Sequence, residues 1–260
     1  RVLIARLRGA GAIEVAGPSA AVQVRDVADA MLAHGAEQVL IDGAIDRRAA
    51  SSPDVADGLV MSTGAVLADD IDEVVRRTRE AVELVRLPTV QTEGEHAARV
   101  WELALGSGES SLLAGERGEP VVLSPTLALT AGAAELQELL RRNPEARWLV
   151  LAGALPERFL AELLAALRRA RRELTLVVAD ATRVFLAERG VDWYRRQGLD
   201  VRALRPIELL ALTVNPLAPQ SHSLDSAELR ALLAQELDDL PIFDVLHADY
   251  RGVREAIAEG

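Results

Sequence analysis

The stretch Trp148-Leu149-Val150-Leu151-Ala152, followed by a helical pattern over 156–172 and then by Leu174-Thr175-Leu176-Val177-Val178-Ala179, decides the fold. Two short apolar runs separated by a longer segment of helical spacing are typical of a β-α-β unit with parallel strands. Further strands are predicted at Val121–Ser124, Leu209–Val214 and Ile242–Leu246. The last helix is predicted to begin at the capping-box-like segment Asp225-Ser226-Ala227-Glu228. Strands this apolar are buried on both faces. The sequence therefore predicts an α/β fold, with a mainly parallel sheet and helices on both faces.

The first part of the chain repeats this pattern less regularly. Four short strands are predicted there, at Val2–Leu7, Ala12–Ala16, Gln38–Ile41 and Gly58–Ser62. Helices are predicted over 20–34 and from the capping residues Asp69 and Asp70 to Leu87. Residues 106–120 are rich in Gly, Ser and Glu, which predicts a boundary between two lobes, 1–107 and 119–260. Because the chain begins at Arg1 within a predicted strand, we expect it to be part of a longer protein.

Composition excludes several kinds of chemistry. The 260 residues include no Lys and no Cys, and all 29 basic residues are Arg. Without Lys the chain cannot hold pyridoxal phosphate covalently or complete a Walker A loop. Without Cys it has no thiolate nucleophile, Cys-ligated zinc or iron–sulfur cluster.

Charge and hydropathy limit the expected partners. A net charge of −11 argues against nucleic acid as a partner. No apolar run reaches the ~18–20 residues of a membrane helix, so no membrane contact is expected. A chain without cysteines is compatible with a cytoplasmic location, which is the simplest expectation.

A long polar segment after the predicted strand Gln38–Ile41 is the first candidate site. In open α/β sheets, ligands bind at the carboxyl ends of strands, and a connection of this length is more often functional than a short one. The alternative is an Asp/Arg-rich turn that forms ion pairs within itself. The candidate residues are Asp42, Asp46, Arg47, Arg48, Ser51, Ser52, Asp57, Thr63 and Gly64.

A second set of polar residues follows the later predicted strands. Its members are Ser124, Thr126, Asp180, Thr182 and Asn215. Since the carboxyl ends of parallel strands meet at one edge, we expect these residues to lie along the same crevice. Each of them is also compatible with ordinary turn chemistry.

Three kinds of chemistry remain open for the first candidate site. Arg47 and Arg48 can bind a phosphate, with magnesium held through water by Asp42 or Asp57. Asp42 and Asp46 can act as an acid–base pair, although adjacent guanidiniums favour their charged forms. The segment can also be a contact surface for another protein. The four histidines show no metal-ligand spacing, so no metal site is predicted.

Several segments carry a resemblance to a known family. They are Gly17-Pro18-Ser19, Ile41–Arg47, Ser52-Pro53, Asp57-Gly58, Ser62-Thr63-Gly64-Ala65, Thr213-Val214-Asn215-Pro216, Pro219 and Pro241–Val245. At these residues the chain resembles the reactivase small subunit found with lysine 5,6-aminomutase, and the matching segments span most of its length.

The resemblance implies a bacterial, cytoplasmic, chaperone-like reactivase subunit for an adenosylcobalamin-dependent aminomutase. It implies ATP-linked exchange of damaged cofactor, with ATP and magnesium as ligands and cobalamin belonging to the partner. The implied partners are the aminomutase and a second reactivase subunit. The family is longer at its N-terminus, where it has a Gly-rich phosphate loop with a Lys, and this chain does not contain that part. The alternative function is a stand-alone α/β enzyme for a small phosphorylated or acidic metabolite.

Overall fold

A computed structural model describes residues 2–9, 12, 17–18, 20–42, 48–90, 95–107, 110–219, 222–237, 239–244 and 246. Eight α-helices are formed within these residues: α1 (Ala21–Ala33), α2 (Ile71–Val85), α3 (Glu95–Ser107), α4 (Leu127–Thr130), α5 (Ala133–Arg142), α6 (Glu157–Ala170), α7 (Val191–Arg196) and α8 (Ser226–Glu236). The strands are β1 (Leu59–Gly64), β2 (Ser111–Gly115), β3 (Val121–Leu123), β4 (Ala146–Leu151), β5 (Leu155–Pro156), β6 (Thr175–Val178), β7 (Val184–Phe185), β8 (Asp200–Ala203), β9 (Leu209–Asn215) and β10 (Ile242–Asp244). Two short 3-10 helices are Arg48–Ser51 and Ala181–Arg183.

The strands form three sheets. The largest has the order β3-β2-β4-β6-β8, in which β4, β6 and β8 run parallel and β2 is antiparallel to both of its neighbours. A second sheet, β1-β9-β10, is parallel throughout, and a third pairs β5 with β7. The predicted α/β class is confirmed, and the predicted parallel pairing holds for the second sheet and for part of the first.

Alternating side chains of the five-stranded sheet pack against helices on its two faces. Leu149 of β4 is buried in a core with residues of α5 and α6. The next residue, Val150, packs in a separate core with Trp101 of α3. Because fully burying one such side chain contributes about 1.5–3 kcal/mol, this alternation fixes the register of the strands. The prediction of helices on both faces is confirmed for this sheet.

The predicted capping residues begin two of the helices. Asp70 accepts a hydrogen bond from the backbone N–H of Glu73 at 2.9 Å and starts α2. Asp225 does the same for the N–H of Glu228, also at 2.9 Å, and starts α8. Each carboxylate satisfies a donor that the first helical turn leaves unpaired. Pro156 is the N-cap of α6, so this helix begins one residue later than predicted.

The second sheet joins distant parts of the chain. β1 pairs in parallel with β9, and α2 and α8 cover the pair through a shared core that includes Val82 and Leu233. One strand of this sheet thus comes from the predicted lobe 1–107 and the other two from the predicted lobe 119–260. The division into two lobes remains a prediction.

Two predicted strands are wrong. Residues 2–7 and 38–41 are described by the structure, and they form no strand there. Leu3 and Leu40 are 80% and 84% exposed. A strand needs a neighbour for its backbone hydrogen bonds, and an apolar run alone does not supply one. The first candidate site therefore does not follow a buried strand. Most of the predicted strand Ala12–Ala16, residues 13–16, lies outside the described residues.

The sequence patterns missed several elements, among them β2, α3 and β8. β2 lies inside the polar segment 106–120 and is nonetheless central and buried. It was not predicted because its apolar residues Leu112, Leu113 and Ala114 are few and are flanked closely by Gly, Ser and Glu. The preceding helix, α3, and the short edge strand β8 were also not predicted. Short elements flanked by turn residues give little periodicity to detect.

Candidate functional site

The largest group of interacting polar side chains from both predicted sets lies beyond the carboxyl ends of β6 and β8. We call it the Ser52–Asp180 cluster; it consists of Ser52, Asp54, Asp180, Thr182 and Arg205. Its centre is Asp180, which is fully buried and caps the 3-10 helix after β6. The carboxylate accepts hydrogen bonds from the backbone N–H of Thr182 at 2.9 Å and from the hydroxyl of Thr182. The local sequence Asp180-Ala181-Thr182 thus forms an Asx-type turn.

Ser52 and Arg205 reach Asp180 from other parts of the chain. The buried hydroxyl of Ser52 donates to Oδ2 of Asp180 at 3.0 Å, although the two residues are 128 positions apart. Nη2 of Arg205, which follows β8, lies 4.0 Å from the same oxygen. Hydroxyl and guanidinium groups both stabilise the charged carboxylate in a buried setting. The cluster therefore ties the segment after the first 3-10 helix to the end of the large sheet.

Arg205 is also paired with Asp54 through both arms of its guanidinium. Nη2 donates to Oδ2 of Asp54 at 2.7 Å and Nη1 donates to Oδ1. The third guanidinium nitrogen, Nε, is buried and has no hydrogen-bond partner within the described residues. Bidentate pairing is the geometry in which an arginine binds carboxylates and phosphates. In this structure the carboxylate of Asp54 is the bidentate partner of Arg205.

The geometry limits the chemistry of this cluster. Both oxygens of Asp180 already accept hydrogen bonds, and the proton of the Ser52 hydroxyl points to Asp180. A general base must be within reach of the proton that it removes from a substrate, and a nucleophile needs an adjacent base with free capacity. Acting on a ligand would require displacement of these contacts. The arrangement is suited to holding a binding surface in place.

A second group of predicted residues lies at the carboxyl ends of β1 and β9. Gly64 pairs with Asn215 in the parallel ladder, with φ +154° at Gly64. The backbone of Asn215 approaches so closely that a Cβ atom on Gly64 would lie 1.8 Å from the Asn215 carbonyl oxygen. The side chain of Asn215 accepts a hydrogen bond from Leu217 N–H at 3.0 Å, which stabilises the turn after β9.

Thr63 is directed into the protein. Its hydroxyl lies 2.5 Å from that of Thr78 on α2, and Thr78 in turn donates to the carbonyl of Val74 at 2.7 Å. Since the Thr78 proton is used for Val74, Thr63 is the donor of the first bond. Both threonines are buried. Thr63 therefore joins β1 to α2 and is not directed to solvent as a ligand-binding residue would be.

His222 lies next to this group and was not predicted as a site residue. Its Nε2 is 3.1 Å from the carbonyl oxygen of Ala65 and 3.2 Å from Oδ1 of Asp69. Asp244, which ends β10, is almost completely buried and accepts hydrogen bonds from the Ser226 hydroxyl and from Leu246 N–H. Polar groups thus follow all three strands of the second sheet, as the rule for parallel sheets predicts.

The other predicted residues are less closely connected. Asp57 is fully exposed, and Oδ1 lies 3.7 Å from Nη1 of Arg25 on α1. Asp42 is exposed, and Ser51 ends the first 3-10 helix. Asp46, Arg47 and the side chain of Arg48 lie outside the described part of the structure.

Ser124 and Thr126 follow β3, whose direction is the same as that of β4. They therefore lie on the edge that carries Asp180. Their hydroxyls are 2.9 Å apart and exposed, and the Thr126 N–H donates to the Ser124 hydroxyl at 3.2 Å. This is a local serine turn. Asn215 belongs to the second sheet, so the prediction that all five strand-end residues share one edge is wrong for Asn215.

Asp54 and Arg205 were missed by sequence reasoning. Arg205 follows β8, and the residues Val201 and Ala203 that give this strand its buried face are too few to stand out. Asp54 was within the polar segment but had no feature to distinguish it from its acidic neighbours. Recognition of the short strand would have placed Arg205 at a strand end beside Asp180.

Within the ranges that the structure describes, no group of three or more His, Cys, Asp or Glu side chains could hold a metal ion. None of the helices in these ranges is both long and apolar enough to cross a membrane. Comparisons with protein-family models, curated proteins and solved structures gave no match.

Proposed function

We propose that the protein is a reactivating, chaperone-like subunit that supports an adenosylcobalamin-dependent aminomutase. The observation that carries this proposal is the pairing of two segments on which the family resemblance rests. Ser62–Gly64 and Thr213–Asn215 are about 150 positions apart in the chain, yet they lie side by side in the parallel ladder of β1 and β9. The hydroxyls of Ser62 and Thr213 are 2.7 Å apart. The pairing brings two of the segments that carry the resemblance together at one place in the fold.

The Ser52–Asp180 cluster supports a binding role rather than a catalytic one. Its carboxylates and its guanidinium are engaged with one another, and this holds the polar segment 48–57 against the large sheet. In the proposal, Arg47 and Arg48 next to this anchored segment contact an anion or carboxylates of the partner. Asp42, Asp46 and Asp57 orient those arginines or a magnesium ion.

Recovery of an inactivated aminomutase tests the proposal. Lysine 5,6-aminomutase that has lost activity during turnover is incubated with this protein, its partner subunit, ATP, magnesium and intact adenosylcobalamin. We expect activity to return only when this protein is present. Arg47→Ala/Arg48→Ala should abolish the recovery without lowering the melting temperature. Arg230→Ala, which alters an exposed arginine on α8, is the matched control and should restore activity normally. Recovery by the double variant would show that the assigned arginines are wrong.

Ligand binding is measured separately by thermal shift with ATP, ADP and cobalamins, each with and without magnesium. A ligand at about 100 times its Kd should stabilise the fold by about 2.7 kcal/mol. Stabilisation by a nucleotide supports a nucleotide-binding role for this chain. Stabilisation by neither class would assign these ligands to the partner subunit or to the aminomutase.

The alternative function is that of a stand-alone enzyme for a small phosphorylated or acidic metabolite. It is favoured by the position of Arg205 beside Ser52 and Thr182 at the carboxyl ends of two parallel strands, where such ligands bind. In this case a phosphorylated metabolite should displace Asp54 and raise the melting temperature, and Asp54→Asn should strengthen that binding. Genes for aminomutase subunits beside this one would favour the reactivase.

A further inference from the structure

We propose that the cleft between α6 and the turn 187–189 binds a small planar anion, such as an aromatic carboxylate or sulfonate. The cleft has a volume of about 500 Å³, within the range of ligand pockets in proteins. It is separate from the residues on which the proposed function rests. Its walls are one face of α6, the turn, and the side chain of Trp193 at the start of α7.

The floor of the cleft is built from small side chains between two arginines. Ala161 and Ala165 line its centre, and Arg158 and Arg168 line it one helical turn further out on either side. These four positions lie on one face of the helix, and the arginines are about 15 Å apart along its axis at 1.5 Å per residue. Alanine leaves room for a flat body against the helix, and the arginines supply positive charge at both ends.

Trp193 and Arg189 form the opposite wall. The guanidinium carbon of Arg189 lies 4.2 Å from the centre of the Trp193 ring, which is a cation–π contact. Within the described residues, no carboxylate lies within ion-pair distance of Arg158 or Arg189. Because Arg189 already covers one face of the Trp193 ring, a planar ligand can stack on the outer face of the Arg189 guanidinium. Its anionic group can then pair with Arg158, which has no acidic partner among the described residues.

The turn is held rigidly by a single carboxylate. Oε2 of Glu157 accepts hydrogen bonds from the backbone N–H groups of Ala187 and Glu188 at 2.7 and 2.9 Å, and Oε1 accepts from that of Arg189 at 3.0 Å. The Tyr194 hydroxyl donates to the same carboxylate at 3.1 Å. A wall fixed in this way does not have to be ordered when a ligand binds, and this favours affinity.

The charge of the cleft favours an anion. Among the described residues that line it, three are arginines and two are glutamates, and Glu157 is already occupied by four donors. The remaining acidic side chain, Glu188, is exposed. This local excess of positive charge stands out in a chain whose net charge is −11. The charge of the cleft therefore favours an anion over a cation.

Calorimetric titration with three probes tests the proposal. Naphthalene-1-sulfonate has both the plane and the charge, naphthalene-1-sulfonamide has only the plane, and methanesulfonate has only the charge. We expect saturable binding of the first. The sulfonamide should bind at least about tenfold more weakly because it lacks the charge-assisted contact, and methanesulfonate should bind at least about tenfold more weakly because it cannot stack. No saturable binding of naphthalene-1-sulfonate, or equal binding of the sulfonamide, would overturn the proposal.

Variants locate the binding to this cleft. Arg158→Ala/Arg189→Ala should weaken naphthalene-1-sulfonate binding by at least about tenfold. Arg230→Ala, which alters an exposed arginine on α8 outside the cleft, should bind as the unchanged protein does. Melting temperatures of both variants check that they are folded, and Arg189→Lys, which keeps the charge, provides a second test if the double variant is unstable. Unchanged affinity in a folded Arg158→Ala/Arg189→Ala protein would also overturn the proposal.

Discussion

Gly64 lies so close to Asn215 that a Cβ atom added to the glycine would sit 1.8 Å from the Asn215 carbonyl oxygen. The backbone of Gly64 also has φ +154°, which L side chains rarely adopt. We therefore expect Gly64→Ala to push β1 away from β9 and to destabilise the fold by about 1–3 kcal/mol, as overpacking does in a core. Urea unfolding followed by circular dichroism measures this loss.

Gly153→Ala is the matched control for that substitution. Gly153 also follows a strand, but its added Cβ would meet only the carbonyl oxygen of Pro125 at 3.6 Å, an ordinary van der Waals distance. We expect its free energy of unfolding to stay within about 0.5 kcal/mol of the unchanged protein, as for most substitutions away from special features. Equal losses in the two variants would contradict the steric explanation for Gly64.

Removal of the central carboxylate of the Ser52–Asp180 cluster should be costly. Asp180→Ala leaves the Ser52 hydroxyl and both donors of Thr182 without their acceptor in a buried place. A buried polar group without a partner costs about 1–3 kcal/mol, so we expect a total loss of ~3 kcal/mol in the free energy of unfolding. Chemical denaturation of the purified variant measures it.

Asp239→Ala removes a carboxylate of the same type from the surface. Asp239 forms an ion pair with Arg86 at 2.8 Å, and its side chain is 67% exposed. Exposed pairs contribute about 0–1 kcal/mol, so this variant should be nearly as stable as the unchanged protein. If Asp180→Ala proves as mild as Asp239→Ala, the cluster does not anchor the segment 48–57.

The stability contributed by Glu157 should depend on pH. Burial raises the pKa of Glu157, but three backbone N–H donors and the Tyr194 hydroxyl lower it by more, so its folded-state pKa lies below its usual range. A lowered folded-state pKa adds stability that is present above the unfolded value, about 4.3, and is lost as the pH falls through the folded value. Glu157→Gln should therefore be less stable than the unchanged protein at pH 7, with a gap that narrows below pH ~4.3. If urea unfolding gives the same difference in free energy of unfolding between the two proteins at every pH from 7 to 3, the lowered pKa of Glu157 does not contribute to stability.

The Tyr194 hydroxyl should lose its proton at a higher pH than an ordinary tyrosine does. Burial, the negative charge of Glu157 and the hydrogen bond to that carboxylate raise the pKa of Tyr194 to about 12. The folded-state pKa is raised above the usual value of about 10. The contribution of protonated Tyr194 to the free energy of unfolding is therefore complete below pH ~10 and is lost as the pH rises through 12. The absorbance at 295 nm of the unchanged protein minus that of Tyr194→Phe should show one step near pH 12. A step near pH 10 in the folded protein would contradict the contact with Glu157.

The parts of the fold that the sequence predicted are those with strong local patterns. The strand over 148–151, the helix that follows and the capping residues Asp70 and Asp225 were all found from periodicity and cap chemistry. Residues 2–7 have a strand-like composition, yet the structure forms no strand there. Strand formation depends on a neighbour that a single sequence does not identify, whereas a helix forms its hydrogen bonds within one segment.

The candidate site was predicted in part for the same reason. Ser52, Asp180 and Thr182 were selected separately as polar residues beside presumed strand ends, and the structure brings them into contact. Their partners Asp54 and Arg205 were not distinguishable from other charged residues, because ion pairing across 151 positions leaves no local signal. Thr63 was predicted as a site residue, but its side chain is buried against Thr78. The sequence does not show which face of a strand a threonine lies on.

The parallel pairing of β1 with β9 also implies a delay between the synthesis of the first strand and that of its partner. β1 leaves the ribosome well before β9, because about 150 residues separate the paired positions 59 and 209. At 5–20 residues per second, the first strand waits roughly 7 to 30 s for its partner. During that interval its backbone edge is unpaired, and Met61 lacks the β9 residues of the core against which it packs in the folded protein. A nascent chain of this protein therefore exposes an aggregation-prone strand for seconds. The yield of folded protein should depend on chaperones that bind extended apolar stretches.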